Sequence, residues 1–154
     1  MAMAIFDAFS HPGAKMGPMA RVHVERRELP DDLRRLLDAG AAAVECTPPL
    51  DIIETETAVQ LLLDLPGVPA AKVDVVFSRN VVLITGEKAP AALDHGDAAF
   101  HVAERAFGRF ARAVSLEGAF DVGKAVATLT DGELRVVLPR VADRRGARIR
   151  IPIT

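Results

Sequence analysis

Apolar and polar residues alternate with a period of two through the middle of this chain. Val59, Leu61, Leu63 and Leu65 share one parity in a run that stops at the turn pair Pro66-Gly67. Such alternation is typical of strands that bury one face. The same period returns in three later sets of residues, namely Val73, Val75 and Phe77; Val81, Leu83 and Thr85; and Leu134, Val136 and Leu138. The pattern predicts several short strands within residues 48–139.

Two tight turns are predicted to join neighbouring strands. Asp131-Gly132 separates Ala125–Thr130 from Glu133–Leu138, and this pair suits a type I′ turn. Ser78-Arg79-Asn80 separates two other alternating runs, and asparagine tolerates the left-handed conformation that a tight hairpin needs. Closely spaced strands joined in this way indicate an all-β fold, an immunoglobulin-like antiparallel β-sandwich.

The regions on either side of residues 48–139 have different patterns. Residues 1–47 are predicted to form a flexible, partly helical N-terminal arm. Its helical stretch opens at Pro30 with two acids, places Leu33, Leu36 and Leu37 at helical spacing, and ends at Gly40. Residues 140–154 form a C-terminal extension, in which a charged connector precedes an isoleucine-rich tail.

The tail has the pattern of a strand that adds to another sheet. Ile149, Ile151 and Ile153 share one parity, so an extended backbone points all three to one face. Pro152 has no N–H to donate. It therefore fits only if the backbone groups of the residues of its parity point away from the partner strand. Ile151 and Ile153 then hydrogen-bond a foreign edge and place their side chains in its pockets.

Composition narrows the classes of function. The chain has 154 residues, 50% of them hydrophobic, and a net charge of −2, which indicates one globular domain with arms. Its charges are interspersed, so no nucleic-acid surface is predicted. No apolar run approaches the roughly 20 residues that span a bilayer, so no membrane partner is predicted. One cysteine and no signal-peptide pattern favour a cytoplasmic protein.

The candidate reactive groups do not form a catalytic site. No nucleotide-binding loop of the form GxxxxGK[ST] or GxGxxG occurs. Cys46 lacks a cysteine-protease signature around it, and His95, between Asp94 and Asp97, is more typical of a solvated loop than of a metal site. His101 and Glu104 would share a helical face, yet this stretch has the pattern of extended chain. We therefore predict no enzyme activity, no catalytic residues, no cofactor and no metal.

Six segments of the chain, in this order, carry a resemblance to a known family. They are Pro48–Thr55, Leu63–Val68, Val82–Lys88, Phe100–Phe110, Ala127–Leu134 with the pattern A-x-x-x-D-G-x-L, and the terminal Ile151-Pro152-Ile153. Together they resemble the small heat-shock protein or α-crystallin family of the bacterial type. They cover about two thirds of the chain, and their order is more specific than any one of them. One departure is Arg79-Asn80, where the family usually has Asn-Gly.

The resemblance implies an ATP-independent chaperone, a holdase that binds unfolding proteins and prevents their aggregation. It also implies an α-crystallin domain that dimerises and assembles further with copies of itself. The tail would dock through Ile151 and Ile153, or through the overlapping pair Ile149 and Ile151. The implied groove lies between two strands and contains Val73, Val75, Phe77, Val126 and Thr128. The alternative is a CS-type adaptor sandwich without holdase activity.

The resemblance also assigns a dimer interface and a client surface. Members of this type lend a loop strand to the neighbouring subunit, and the matching element follows a loop at residues 89–99. The implied interface residues are Phe100, His101, Val102, Glu104, Arg105 and Arg109. The predicted client-binding residues, which are apolar and adaptable, are Met3, Phe6, Phe9, Met16 and Met19. By composition alone this cluster fits an ordinary arm equally well, and the resemblance favours client binding.

Overall fold

The computed structural model describes residues 26–39, 44–90, 92 and 96–141. One α-helix, α1 (Asp31–Ala39), precedes seven strands. The strands are β1 (Leu50–Glu54), β2 (Ala58–Asp64), β3 (Val73–Ser78), β4 (Val81–Lys88), β5 (Gly108–Ser115), β6 (Val126–Thr130) and β7 (Glu133–Pro139). Short 3-10 turns occupy Arg26–Glu28, Ala70–Lys72 and Val122–Lys124. The predicted helix after Pro30 is confirmed, and so are the alternating runs as strands.

The strands form two antiparallel sheets that face each other. One sheet has the order β1-β2-β7-β6 and the other the order β3-β4-β5. All described pairings within them are antiparallel. The predicted all-β sandwich is therefore confirmed.

The inner faces of the two sheets enclose the main core. Their alternation follows the sequence pattern, because every second residue of β2 and β7 is buried. Arg112 is a buried charged residue on the inner face of β5, and its Nη1 donates to the carbonyl of Pro48 at 2.8 Å. Burial lowers the pKa of this guanidinium. The buried apolar residues of this core are Cys46, Val59, Leu61, Leu63, Leu65, Val68, Val82, Ile84, Phe110, Val114, Leu116, Leu134, Val136 and Leu138.

Both predicted hairpins close through type I′ turns. Asp131 and Gly132 have φ values of 52° and 81°, and Arg79 and Asn80 have φ values of 47° and 63°. Two successive positive φ values define this turn, whose twist matches that of paired strands. Asn80 also donates from Nδ2 to the carbonyl of Gly118 at 2.8 Å. The Arg79-Asn80 pair thus adopts the turn geometry that Asn-Gly favours.

The central strand β4 is buried on both faces, whereas the alternation predicted one buried face. Val82 and Ile84 face the core between the sheets, and Val81 and Leu83 face outward. Helix α1 covers this outward face, which explains the uninterrupted apolar run from Val81 to Ile84. The helical part of the N-terminal arm therefore packs on the sandwich.

The start of the outer edge of β5 is covered by the chain's own segment 44–46. The N–H groups of Glu45 and Cys46 donate to the carbonyl of Arg109 at 2.8 and 3.1 Å. The N–H of Arg109 donates in return to Oε2 of Glu45 at 3.0 Å, and Cys46 forms a parallel bridge with Phe110. In the part of the chain that the structure describes, β1, β3 and β6 have no strand on their outer edges.

Candidate strand-binding cleft

Partly buried apolar side chains lie between the edge strands of the two sheets, and we call this strip the cleft. β3 ends one sheet and β6 ends the other. The ring of Phe77 in β3 contacts that of Phe120, which precedes β6, edge to face at a centroid distance of 6.1 Å. This contact brings the two edges to the same side of the sandwich. The partly buried apolar residues that line the cleft are Val73, Val75, Phe77, Phe120, Ala125 and Leu129.

The backbone of β3 presents hydrogen-bonding groups at its open edge. In a two-residue hairpin the residues that flank the turn bond to each other, and bonded and non-bonded pairs alternate from there. Ser78 and Val81 are the flanking pair, so Val75 and Phe77 fall at non-bonded positions. Their N–H and C=O groups therefore point away from β4, while their side chains pack against the core.

The same argument holds for β6. Thr130 and Glu133 flank the turn and form the bonded pair, so Ala127 and Leu129 fall at non-bonded positions. Their N–H and C=O groups point to the open edge. Because both hairpins have two-residue turns, each edge exposes the backbone of residues whose side chains face inward. In a strand added at such an edge, the residues that hydrogen-bond to the edge therefore also direct their side chains toward the core.

The structure places the predicted groove residues of β3 and β6 differently. Val73, Val75 and Phe77 lie on the inner face of β3, as the groove requires. Val126 is 55% exposed and Thr128 is paired with the exposed Arg135, so both lie on the outer face of β6. The assignment of these two residues to the groove is a parity error.

Ala127 and Leu129 in β6, together with Ala125 just before it, are the residues that sequence reasoning missed. The signal was present, because a two-residue turn at Asp131-Gly132 fixes Leu129 opposite Leu134. Residues directly opposite in an antiparallel pair share a face. The alternating buried residues of β7 therefore determine which face of β6 is inward.

One end of the cleft is held by Arg140, which directly follows β7. Its guanidinium pairs with Glu54, donates from Nη1 to the carbonyl of Glu117 at 3.2 Å, and lies 5.3 Å from the ring centroid of Phe120. Nearby, Lys124 Nζ lies 2.8 Å from Oδ2 of Asp121, whose carboxylate raises the pKa of that lysine. Arg140 thus fixes the start of the C-terminal extension beside the ring that lines the cleft.

The predicted dimer segment lies on the surface beyond the sandwich. Phe100 is 71% exposed and Val102 is 72% exposed, while His101 and Glu104 are exposed too. The Arg105 guanidinium lies 4.8 Å from the ring centroid of Phe107 in the same chain. The described residues between β4 and β5 form no strand.

The outer edge of β1 has the same arrangement as the cleft edges. The N–H of Thr55 donates to the carbonyl of Ala58 at 2.9 Å, which directs Thr55 toward β2. By alternation, Leu50 and Ile52 direct their N–H and C=O groups to the open edge. Both side chains are half-buried against the core.

Other predicted residues lie outside the described part of the chain. These are the tail residues Ile149, Ile151, Pro152 and Ile153, and the client-binding residues Met3, Phe6, Phe9, Met16 and Met19.

The described residues hold little acid–base chemistry. Within residues 26–39, 44–90, 92 and 96–141, no three histidine, cysteine or acidic side chains group as metal ligands. Burial raises the pKa of the Cys46 thiol, whose Sγ lies 3.5 Å from the carbonyl of Gly108. No helix in these ranges is long and apolar enough to cross a membrane.

The two-sheet fold agrees with the comparisons to known proteins. The family model of the Hsp20/alpha crystallin family matches residues 51–154, more than half of the chain. The chain belongs to the Hsp20/alpha crystallin family. The fold of this Hsp20-family chain also superposes on heat shock protein 16.0 from Schizosaccharomyces pombe and on a small heat-shock protein from Xylella fastidiosa, each with a TM-score of 0.60. Sequence identities are 27% and 26%, and each alignment covers 71% of this chain and all of the other.

Relatives in sequence carry small heat-shock names. Small heat shock protein C4 of Rickettsia felis is 30% identical over 105 residues, and an 18.9 kDa heat shock protein of Oryza sativa is 36% identical over 117 residues. The alignments cover 68% and 75% of this Hsp20-family chain, and 64% and 66% of those relatives. The chain thus spans about two thirds of the length of the relatives it matches.

Proposed function

We propose that this chain is an ATP-independent holdase that binds unfolding proteins and assembles with copies of itself through added strands. The observation that carries the proposal is the apolar cleft between β3 and β6, whose outer edges have no strand beside them among the residues that the structure describes. Membership of the Hsp20/alpha crystallin family supports it. A cytoplasmic location stays a prediction from the sequence.

The tail of a neighbouring copy is the proposed occupant of the cleft. In an antiparallel addition, Ile151 and Ile153 take bonded positions opposite Val75 or Phe77, and their side chains then face the core side. Pro152 falls between them with its backbone turned away, where its missing N–H costs no ladder bond. The geometry of the edge therefore suits the parity of the tail.

The strength of one latch follows from the apolar area it buries. Burying one isoleucine side chain contributes about 1.5–3 kcal/mol, from which the ordering of the tail subtracts. A single latch is therefore weak and reversible. Many latches in one closed particle act together and hold it.

The dimer is proposed to form by exchange of the segment around Phe100–Val102. Phe100 and Val102 share one parity, and each is more than two thirds exposed in the single chain. The open edge of β1 offers the backbone of Leu50 and Ile52, whose side chains are half-buried. A strand added there would bury both exposed side chains beside them. His101, Glu104, Arg105 and Arg109 are the proposed polar members of this interface.

A matched pair of substitutions in β6 tests the cleft. Ala127 and Thr128 are adjacent and both exposed, yet only Ala127 lies on the cleft side. We expect Ala127→Asp to abolish large particles, because a carboxylate there opposes an apolar strand, and Thr128→Asp to leave them intact. Size-exclusion with light scattering measures particle size. Equal particle size in the two variants would contradict the proposed docking site.

The tail itself has a parallel test. Ile151→Ala combined with Ile153→Ala is expected to shrink the particle while circular dichroism keeps its β-signal. Ile149→Ala distinguishes the two registers, since it acts only if Ile149 and Ile151 are the docking pair. Particles of unchanged size in all these variants would exclude the tail as the latch.

The holdase activity is tested by light scattering of a heat-labile client enzyme without nucleotide. We expect aggregation to fall as this protein is added, and bovine serum albumin serves as the control for nonspecific protection. Equal aggregation with this protein and with albumin would reject the proposal. A monomeric chain without protection would instead favour the adaptor alternative.

A further inference from the structure

The outer face of the β3-β4-β5 sheet carries an apolar patch of Val76, Val81, Leu83 and Ala113, which we name the helix-covered face. Val81 is 6% exposed and Leu83 is 2% exposed, and Val76 and Ala113 are half-buried beside them. An antiparallel sheet commonly has one face on the core and one in water. Here the second face also carries an apolar patch, and residues of the N-terminal arm cover that patch.

The covering segment, residues 26–39, is tied together by its own polar contacts. The Arg34 guanidinium donates to the carbonyls of Arg26, Arg27 and Leu29 at 3.4, 3.2 and 2.9 Å. Arg34 also lies 3.2 Å from a carboxylate oxygen of Asp31, and Arg26 pairs with Asp38. We call this segment the clip, because these contacts join its 3-10 turn to its helix.

The clip packs on the sandwich mainly through leucine side chains. Leu29, Leu33 and Leu37, spaced four residues apart, pack on the helix-covered face. Ser78 adds a hydrogen bond from its Oγ to a carboxylate oxygen of Asp32 at 2.6 Å. A nine-residue helix is too short to be stable alone in water, so α1 depends on this docking.

We propose that the helix-covered face is a second binding surface for non-native clients, and that the clip is its built-in ligand. The occupant it accepts is an amphipathic client segment with apolar residues four apart, as in the clip itself. Such segments are exposed when a helical protein unfolds, and they bind when the clip leaves. The client part of this proposal rests on the proposed holdase function, whereas the existence of the surface does not.

The surface is tested directly with a peptide probe. The probe is a fluorescently labelled synthetic peptide of residues 26–39, and its binding to the full chain is followed by anisotropy. Leu33 is fully buried under the clip, whereas Leu36 in the same helix is 53% exposed. We expect Leu33→Asp to free the face and bind the probe at least 10-fold more tightly than Leu36→Asp or the unchanged chain does.

A disulfide that holds the clip on the sheet is the opposite perturbation to Leu33→Asp, which frees the face. Asp32→Cys with Ser78→Cys, in a Cys46→Ala chain, joins the clip to the sheet when oxidised, which a non-reducing gel verifies. We expect the oxidised form to bind the probe at least 10-fold more weakly than the Leu33→Asp chain. Adding Ala113→Asp to the Leu33→Asp chain should also remove binding of the probe. If the probe binds these variants in any other order of affinity, and circular dichroism shows that their sandwiches are folded, the proposed binding surface is wrong.

Client capture is then compared between the oxidised and reduced tether in the light-scattering assay. We expect the oxidised form to need several-fold more protein for equal protection, and dithiothreitol to restore it. Equal protection by both forms would overturn the client part of the inference. If no form protects the client while the probe result holds, the holdase proposal fails and the binding surface stands.

Discussion

Gly86 provides a stringent test of how the inner face of the sandwich is packed. It lies in β4 between Val73 and Phe110 in the registers of the two neighbouring strands. A Cβ atom added to Gly86 would lie 2.5 Å from Cζ of Phe110 and 2.6 Å from the backbone oxygen of Lys72. Position 86 therefore requires glycine for a steric reason. The ring of Phe110 occupies the space in which the side chain of any other residue would lie.

The cost of Gly86→Ala follows from these two contacts. The ring can rotate away only by disturbing the core, and the carbonyl of Lys72 is backbone. Overpacking of this kind costs about 1–3 kcal/mol, while replacing glycine by alanine returns about 0.4–1 kcal/mol through the unfolded state. We expect a net loss of about 1–2 kcal/mol in the free energy of unfolding. For a domain of this size that lowers Tm by about 4–8 °C per kcal/mol.

Urea unfolding followed by circular dichroism, at fixed protomer concentration, measures this loss. Gly96→Ala is the matched control, because a Cβ at Gly96 has no atom within 4 Å. Phe110→Leu in the Gly86→Ala chain should cost less than the sum of the two single changes, since it removes the clash. If Gly86→Ala and Gly96→Ala unfold at the same urea concentration, the packing argument is refuted.

Three further predictions concern single side chains. Because burial raises the pKa of Cys46, its alkylation by iodoacetamide at pH 7.5 should be far slower in the folded chain than in urea; equal rates would contradict a buried thiol. Arg79→Asn should raise the free energy of unfolding by about 0.5–1 kcal/mol, because asparagine tolerates the φ of 47° better, and a lower urea midpoint would count against this turn. Arg140→Ala should cost about 0.5–2 kcal/mol, because it removes the ion pair with the exposed Glu54 and the cation–π contact with Phe120; an unchanged melting curve would show that these contacts contribute nothing.

Local patterns predicted the elements well because each depends on near neighbours in sequence. The alternation in β2 and β7 marked the buried positions, and Asp131-Gly132 marked a turn. The resemblance placed Val126 and Thr128 in the groove, and this parity of β6 is wrong. The hairpin register overrides that placement, since Thr128 lies opposite the exposed Arg135.

Contacts between distant segments were beyond the reach of local patterns. The ring of Phe110 over Gly86 joins neighbouring strands that a long loop separates in sequence. The docking of α1 on β4 had a signal, the uninterrupted apolar run from Val81, but alternation alone assigns such a strand one buried face. Helical spacing in the arm predicted α1 and could not say where its leucines pack.

The hydrogen bonds that Glu45 and Cys46 form with Arg109 of β5 affect how this molecule can polymerise. Fibrils grow when a sheet recruits one strand after another at an edge that never closes. In the described part of the chain, residues 44–46 bond the backbone of Arg109 near the start of β5, so a strand that added there would have to displace them. Addition to the three-stranded sheet is therefore less obstructed at β3 than at β5.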